Sequence, residues 1–346
     1  MPKPTLQQQL DALFDKLWPE MAQAFREAVA EIRSRITLKV LIDRLTAGDI
    51  QGALEALHID RAAFYPLEQA LTLAYQSGGA IVSQAMPLQR EATGARVVIR
   101  FDMRNPRAEA WLAERSSQLV TGIVDDQRAS IQSALVEGMA KGQNPTTTAL
   151  QVVGRINRAT GKREGGIVGL TSQQAQYVAA ARQELLSGDP AQMANYLARS
   201  DNTRDKRFDK AVRAAMKAGK PLPADTVNAA VTSYENRMLK YRGDLIGKTE
   251  TFGGIAASKH EAYAQAIQSG KVLANRVKKR WKHFPNEHPR LWHEAMANVE
   301  VPFDGLFSLP DGSQMAFAHD PTGGMKNNAG CHCQTDYFID YFESRA

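Results

Sequence analysis

Apolar residues recur every three or four positions along most of this chain. Over residues 5–36 they fall at Leu6, Leu10, Leu13, Leu17, Met21, Phe25, Val29, Ile32 and Ile36, which places them on one stripe of an amphipathic helix. Thr5 stands where an N-cap belongs. A helix of roughly thirty residues reaches about 45 Å at about 1.5 Å per residue. Such a stripe serves either to pack the helix on its own domain or to dock it on a partner. Shorter helical segments follow at 38–45 and 50–57, the second capped by Asp49, and another starts after Asp60. Residues 65–89 read as a buried helix. The period then changes: 95–101 (ARVVIRF) is β-branched and aromatic, a short strand or an extended linker.

Helical spacing returns from Pro106 through Trp111, Leu119, Ile123, Ile131 and Leu135. A threonine in the Asn144-Pro145-Thr146 turn would cap a helix over 149–156, and Thr171 opens one that ends near Leu186. Between them, 159–166 is a polar, glycine-rich loop without the G-K-[ST] ending of a phosphate cradle. A long helix begins at Pro223-Ala224-Asp225 with the stripe Val227, Val231, Tyr234, Met238, Tyr241 and Leu245. A second, entered through Thr249-Glu250-Thr251, is expected to run to about Lys282. Glu250 is either an exposed cap acid or half of a buried pair with an arginine such as Arg290.

After Trp281 the signals mix. Short strands at 299–301 and 306–308, the turn Pro310-Asp311-Gly312-Ser313 and a return over 315–317 predict a small hairpin. The aromatic stretch 337–342 is a closing strand or helix, or an exposed tail. The fold class that follows is mainly α: extended helical N-terminal and middle regions with a small α+β C-terminal domain. The boundaries drawn from sequence are 1–93, a strand or linker at 94–105, a helical middle domain at 106–246, and 247–346.

Charge adds one feature. The formal net charge is +6, which suits work beside a polyanion without requiring it. Two runs concentrate the cations: 204–220 carries seven Lys or Arg against two Asp, and 276–282 (RVKKRWK) carries five and no acid. Each is either a solvated helix face or a surface for DNA phosphates. The candidate contacts are Lys206, Arg207, Lys210, Arg213, Arg276, Lys278, Lys279, Arg280 and Lys282. No apolar run is long enough to span a membrane, and a lone C-x-C suits a reducing compartment.

The chemistry gathers at the end of the chain. Both cysteines, Cys331 and Cys333, lie there with five of the seven histidines: His283, His288, His293, His319 and His332. Zinc takes four thiolate or imidazole ligands in a tetrahedron. Cys331, Cys333 and His293 supply three, and His319 or His332 a fourth. The alternatives are buried apolar thiols beside a hydrogen-bonded histidine, or a Cys331–Cys333 disulfide. His293, Glu294, Asp304 and Asp320 could be imagined as a nuclease site, but no H-E-x-x-H, G-x-S-x-G or paired-acid motif is present.

These residues carry a resemblance. Lys248-Thr249-Glu250-Thr251, Trp281, Arg290-Leu-Trp-His293, Phe303-Asp304-Gly305, His319-Asp320-Pro321, and Asn328 with Cys331-His332-Cys333 resemble in order and spacing the Mu F-like family of phage head morphogenesis proteins. The likeness is carried by 247–346 and, more loosely, by the helices over 125–241. His319 stands where the family has glycine, and His332 where it has a basic residue. The resemblance implies a non-catalytic minor component of the virion head, present in the host cytoplasm during assembly. Its expected partners are the portal, capsid or scaffold proteins and packaged DNA, with no membrane. The other classes left open are a metal-dependent enzyme acting on DNA or cell wall during entry, and a DNA-binding protein without a capsid role.

Overall fold

The computed structural model describes residues 3–86, 98–200, 202–284 and 289–340. Residues 87–89 of the expected buried helix, 95–97 of the expected strand or linker and 341–342 of the aromatic end lie outside them. The chain is mainly α-helical with a small region of antiparallel strands near its C-terminus. Its helices are α1 (Leu6–Arg35), α2 (Leu38–Thr46), α3 (Ile50–Glu55), α4 (Tyr65–Ala85), α5 (Pro106–Ala140), α6 (Pro145–Val153), α7 (Ser172–Leu186), α8 (Pro190–Leu197), α9 (Asp209–Ala218), α10 (Ala224–Gln268), α11 (Leu291–Glu294) and α12 (Gly324–Asn328). Its strands are β1 (Arg155–Ile156), β2 (Arg163–Glu164), β3 (Val277–Lys282), β4 (Glu300–Pro302), β5 (Phe307–Ser308), β6 (Gln314–Met315) and β7 (Gln334–Ile339).

The caps largely follow local chemistry. Thr5 and Gln8 satisfy each other's backbone N–H groups at the start of α1, and Thr171 and Gln174 do the same for α7. Asp49 caps α3. The expected threonine cap is corrected: Asn144 accepts the Thr146 N–H, so α6 begins at Pro145, four residues before the expected start.

Two larger corrections concern the region from 224 to 282. The two expected helices are one, α10, 45 residues long, and Thr249–Thr251 lies inside it. Glycine does not break α10, because here it permits close approach. A Cβ on Gly247 would meet the Trp18 carbonyl oxygen at 2.5 Å, and one on Gly254 would meet Leu71 and Ala74 at 3.3 and 3.4 Å. Helix packing thereby offsets the roughly 1 kcal/mol that an interior glycine costs. The second basic run is a strand. Its burial alternates along β3, with Val277, Lys279 and Trp281 inward.

Contacts divide the chain into two compact units. One comprises Met1–Gln23, Leu67–Ser117 and Asp244–Ala346; the other comprises Ala24–Pro66 and Gln118–Gly243. In the first, β3 is the centre of a three-stranded antiparallel sheet in the order β4-β3-β7, with Lys279 opposite Val301 and Tyr337. The predicted hairpin is β5-β6, with Phe307 opposite Met315. Trp281, Phe307, Met315, Met296, Cys331 and Cys333 form one apolar cluster. Leu10, Val82, Ile255, Tyr263 and Val277 form another. Residues 98–102 have no regular structure, and Phe101 packs on Tyr75.

In the second unit, Phe25 and Phe64 stack with ring centroids 6.3 Å apart. The glycine-rich loop follows β1 and contains β2, and the two strands pair antiparallel. Buried charges anchor the backbone that follows. Arg33 donates to the carbonyls of Gly166 and Val168, Glu235 accepts from the Gly166 N–H, and Arg242 donates to the Gly169 carbonyl and to Asp126.

Candidate metal centre

Strand parity builds this site. Side chains two residues apart share a face of a strand. Because Trp281 is buried, the next residue of its parity, His283, follows toward the same side. The C-x-C entering β7 behaves alike: Cys331 and Cys333 are buried and His332 is exposed. The two thiols therefore meet under the sheet.

His293 reaches them from α11 and is itself buried. Its Nδ1 lies 3.4 Å from Cys331 Sγ and 3.6 Å from Cys333 Sγ. Donor atoms of these three residues all fall within 4.8 Å of one another. His283, half-buried, places its Nδ1 3.5 Å from Cys333 Sγ. Trp281 meets His293 and Phe307 edge-on, at centroid distances of 5.4 and 5.3 Å.

A second layer orients the imidazole. His293 Nε2 lies 3.0 Å from Asn327 Oδ1, an oxygen that cannot donate. Nε2 therefore carries a proton, and the ring is held with its Nδ1 facing the sulfurs. Asn327 is fixed in turn: its oxygen also accepts from Trp292 Nε1, and its amide donates to Asp311, Ser313 and the Gly323 carbonyl. Arg290 clamps the loop below by donating to the Lys326 and Ala329 carbonyls, both at 2.7 Å. The Cys333 N–H points at Cys331 Sγ at 3.3 Å.

The thiols divide one charge between them. The hydrogen bond to Cys333, reinforced by burial, pushes Cys331 far up. That same bond, against the cost of burial, pulls Cys333 well below the ordinary thiol range, helped by His293 and His283. A thiolate beside a second thiol and an oriented imidazole is a donor set for a soft divalent metal. Cys331, Cys333 and His293 can thus hold a metal ion. Both cysteines are free, with no disulfide between them.

The expected fourth ligands are corrected. His319 is buried, but its ring stacks on Phe252 at 5.0 Å and neither nitrogen has a hydrogen-bond partner. It belongs to no compact donor group among the described residues. Burial lowers its pKa to about 4. Its backbone has φ +71°, a left-handed conformation that glycine adopts without strain. His332 is exposed and lies over Phe252 instead.

The remaining motif positions are structural. Thr249 and Glu250 are buried within α10. Glu250 pairs with Arg115, and the expected partner Arg290 is committed to carbonyls instead. Asp320 caps the turn that begins at Pro321 and also accepts the Ala316 N–H at 2.7 Å. Asp304 shows a different kind of link: its charge opposes the burial that pushes the Lys279 ammonium down to about 8.

The proposed DNA contacts divide. Lys279 is corrected outright: it is buried, and its ammonium donates to the Gly305 and Ala316 carbonyls at 2.7 and 2.8 Å. On the other face of β3, Arg280 pairs with Glu300, Lys282 lies 3.9 Å from Asp336, and Lys278 is half-buried. Arg276 sits in the turn before the strand, its carbonyl accepting the Asp340 N–H. Lys206, Arg207, Lys210 and Arg213 are all exposed on α9 and the turn before it, with Arg207 paired to Asp205.

His283 and Asn327 were the residues that motif reading passed over. For His283 a signal existed in the alternating run Val277, Lys279, Trp281. For Asn327 none did, because Asn328 next to it satisfied the motif. No family model matches the sequence, and no curated protein or solved structure matches it. Among the described residues no helix is long and apolar enough to cross a membrane.

Proposed function

We propose that this chain is a minor head protein of the Mu F-like kind, a structural component of a phage head bound to the portal and neighbouring capsid or scaffold proteins. A zinc ion fastens its C-terminal α+β region. The observation that carries this reading is the use made of the motif residues. Glu250 neutralises Arg115, Trp281 wedges against His293, Arg290 holds two carbonyls, and Asp320 caps a turn. Each is engaged in holding backbone or core, as in a part selected for rigidity rather than turnover. The exposed cations Lys206, Arg207, Lys210 and Arg213 suit phosphate contacts, which need clustered charge and no base-reading geometry.

Copurification with a portal ring tests the assignment most directly; a chain that never associates with portal or capsid proteins contradicts it. DNA affinity should fall with salt, and neutralising those four cations should flatten the slope. The enzyme reading draws on one feature, a three-donor metal set that leaves a fourth position for water or substrate. DNA turnover lost in His293→Ala would favour it.

A further inference from the structure

We propose that His283 is the fourth ligand, so that Cys331, Cys333, His293 and His283 close a Cys2His2 zinc site with no open position. This rests on the zinc reading above and extends it by naming the ligand that makes the site structural.

The argument begins with distances. Zinc sits about 2.3 Å from thiolate sulfur and about 2.0–2.1 Å from imidazole nitrogen. At a tetrahedral angle those bonds set sulfur and nitrogen ligands about 3.5–3.6 Å apart. The three sulfur–nitrogen separations are 3.4, 3.6 and 3.5 Å, the last belonging to His283. Two thiolates and two neutral imidazoles around Zn²⁺ leave no net charge, which a buried cluster requires. On binding, the remaining thiol proton leaves to solvent.

The second point is reach. His283 lies outside the trio whose donors share a 4.8 Å sphere, so its ring must move toward His293 and Cys331 to complete the tetrahedron. It is half-buried just past the end of β3, and its side chain makes no other hydrogen bond among the described residues. His293, by contrast, is already oriented by Asn327. His319 is held in a stack on Phe252, and His332 is exposed.

The test uses the full chain. Purified protein is analysed for zinc, then stripped and reloaded with Co²⁺, whose ligand-field and sulfur charge-transfer bands report the donors. One metal per chain and a tetrahedral cobalt spectrum are expected. His283→Ala should weaken zinc binding by at least roughly tenfold and alter the ligand-field bands, while His319→Ala leaves both unchanged. His283→Cys guards against a folding defect: it should keep the metal and strengthen the sulfur charge-transfer band. An unaltered spectrum in both His283 variants overturns the fourth-ligand assignment and leaves the zinc reading standing. Wild-type protein that takes up neither metal overturns the zinc reading itself.

Discussion

Each unit of the molecule pins an irregular loop, and the two do it with different chemistry. In the second unit, side chains of α1 and α10 reach backbone around Gly165–Gly169: Arg33 and Arg242 donate to carbonyls, and Glu235 and Asn236 accept from N–H groups. The bonds run from side chain to main chain and leave few donors over. Around Cys331–Cys333 in the first unit, Arg290 does similar service, but the sulfurs and His293 Nδ1 aim at one another. Three converging donor atoms of this kind could hold a metal ion. The first loop is held by side chain to main chain bonds, and the second also brings together side chains that could hold a metal ion.

The sharpest way to break this contrast is at Glu235. Burial holds its carboxyl above the ordinary range against the pull of the Gly166 N–H and nearby arginines, while Arg33 is lowered by burial to about 10. Glu235→Ala leaves the arginines less compensated and should cost about 3–5 kcal/mol in urea denaturation. A loss below about 1 kcal/mol would mean that packing, not charge, holds the loop.

Next comes Asn327→Ala in the first unit. It strips partners from His293 Nε2, Trp292 Nε1 and the Gly323 carbonyl. The expected cost is about 1–3 kcal/mol without metal, together with a roughly 10–100-fold drop in zinc affinity. A variant that loses stability but keeps full zinc affinity would separate the loop's support from the site's.

Acid should affect the first unit through His260. Its ring stacks on Phe303 and its Nδ1 lies 3.0 Å from the Tyr337 hydroxyl. Burial, then Lys279 and Arg107, hold its pKa down to about 3 from 6.5. Above about pH 6.5 the ring is neutral whether folded or not, and the full stability is present. Below that, the unfolded chain takes up a proton that the folded chain refuses. Stability should fall by about 1.4 kcal/mol per pH unit until the folded pKa is reached. His260→Gln should remove this share, read as the difference in denaturation midpoints between about pH 7.5 and about pH 5. Equal acid sensitivity in wild type and variant would assign it elsewhere.

The smallest effect belongs to Arg280. Its exposed pair with Glu300 and its position over Phe338 should make Arg280→Ala cost under about 1 kcal/mol. A larger loss would show that the outer face of β3 is structural as well.

Much of this was legible in the chain because it depends on neighbours in sequence. The stripe along α1 is buried at Leu10, Leu17, Met21, Phe25, Val29 and Ile32, the Thr171 cap forms as its spacing implies, and the β5-β6 hairpin turns at Gly312. What misled was local chemistry overridden at a distance. Thr249-Glu250-Thr251 reads as the start of a second helix until it is seen buried inside α10, with Leu71 and Ala74 packed close to Gly254. RVKKRWK reads as a solvated surface until β4 and β7 bind both its edges, and then half of it is core.

The site divides along the same line. By itself the sequence determined that helices dominate and that thiols and imidazoles gather near the C-terminus, since periodicity and composition are properties of neighbouring residues. Only the tertiary structure decided which histidines meet those thiols. His293 and His283 come to them on separate elements, 38 and 50 residues away along the chain, while His319, nearer in sequence, is turned onto Phe252. A ligand set depends on distances through space, and those arise only when strand, turn and helix pack together.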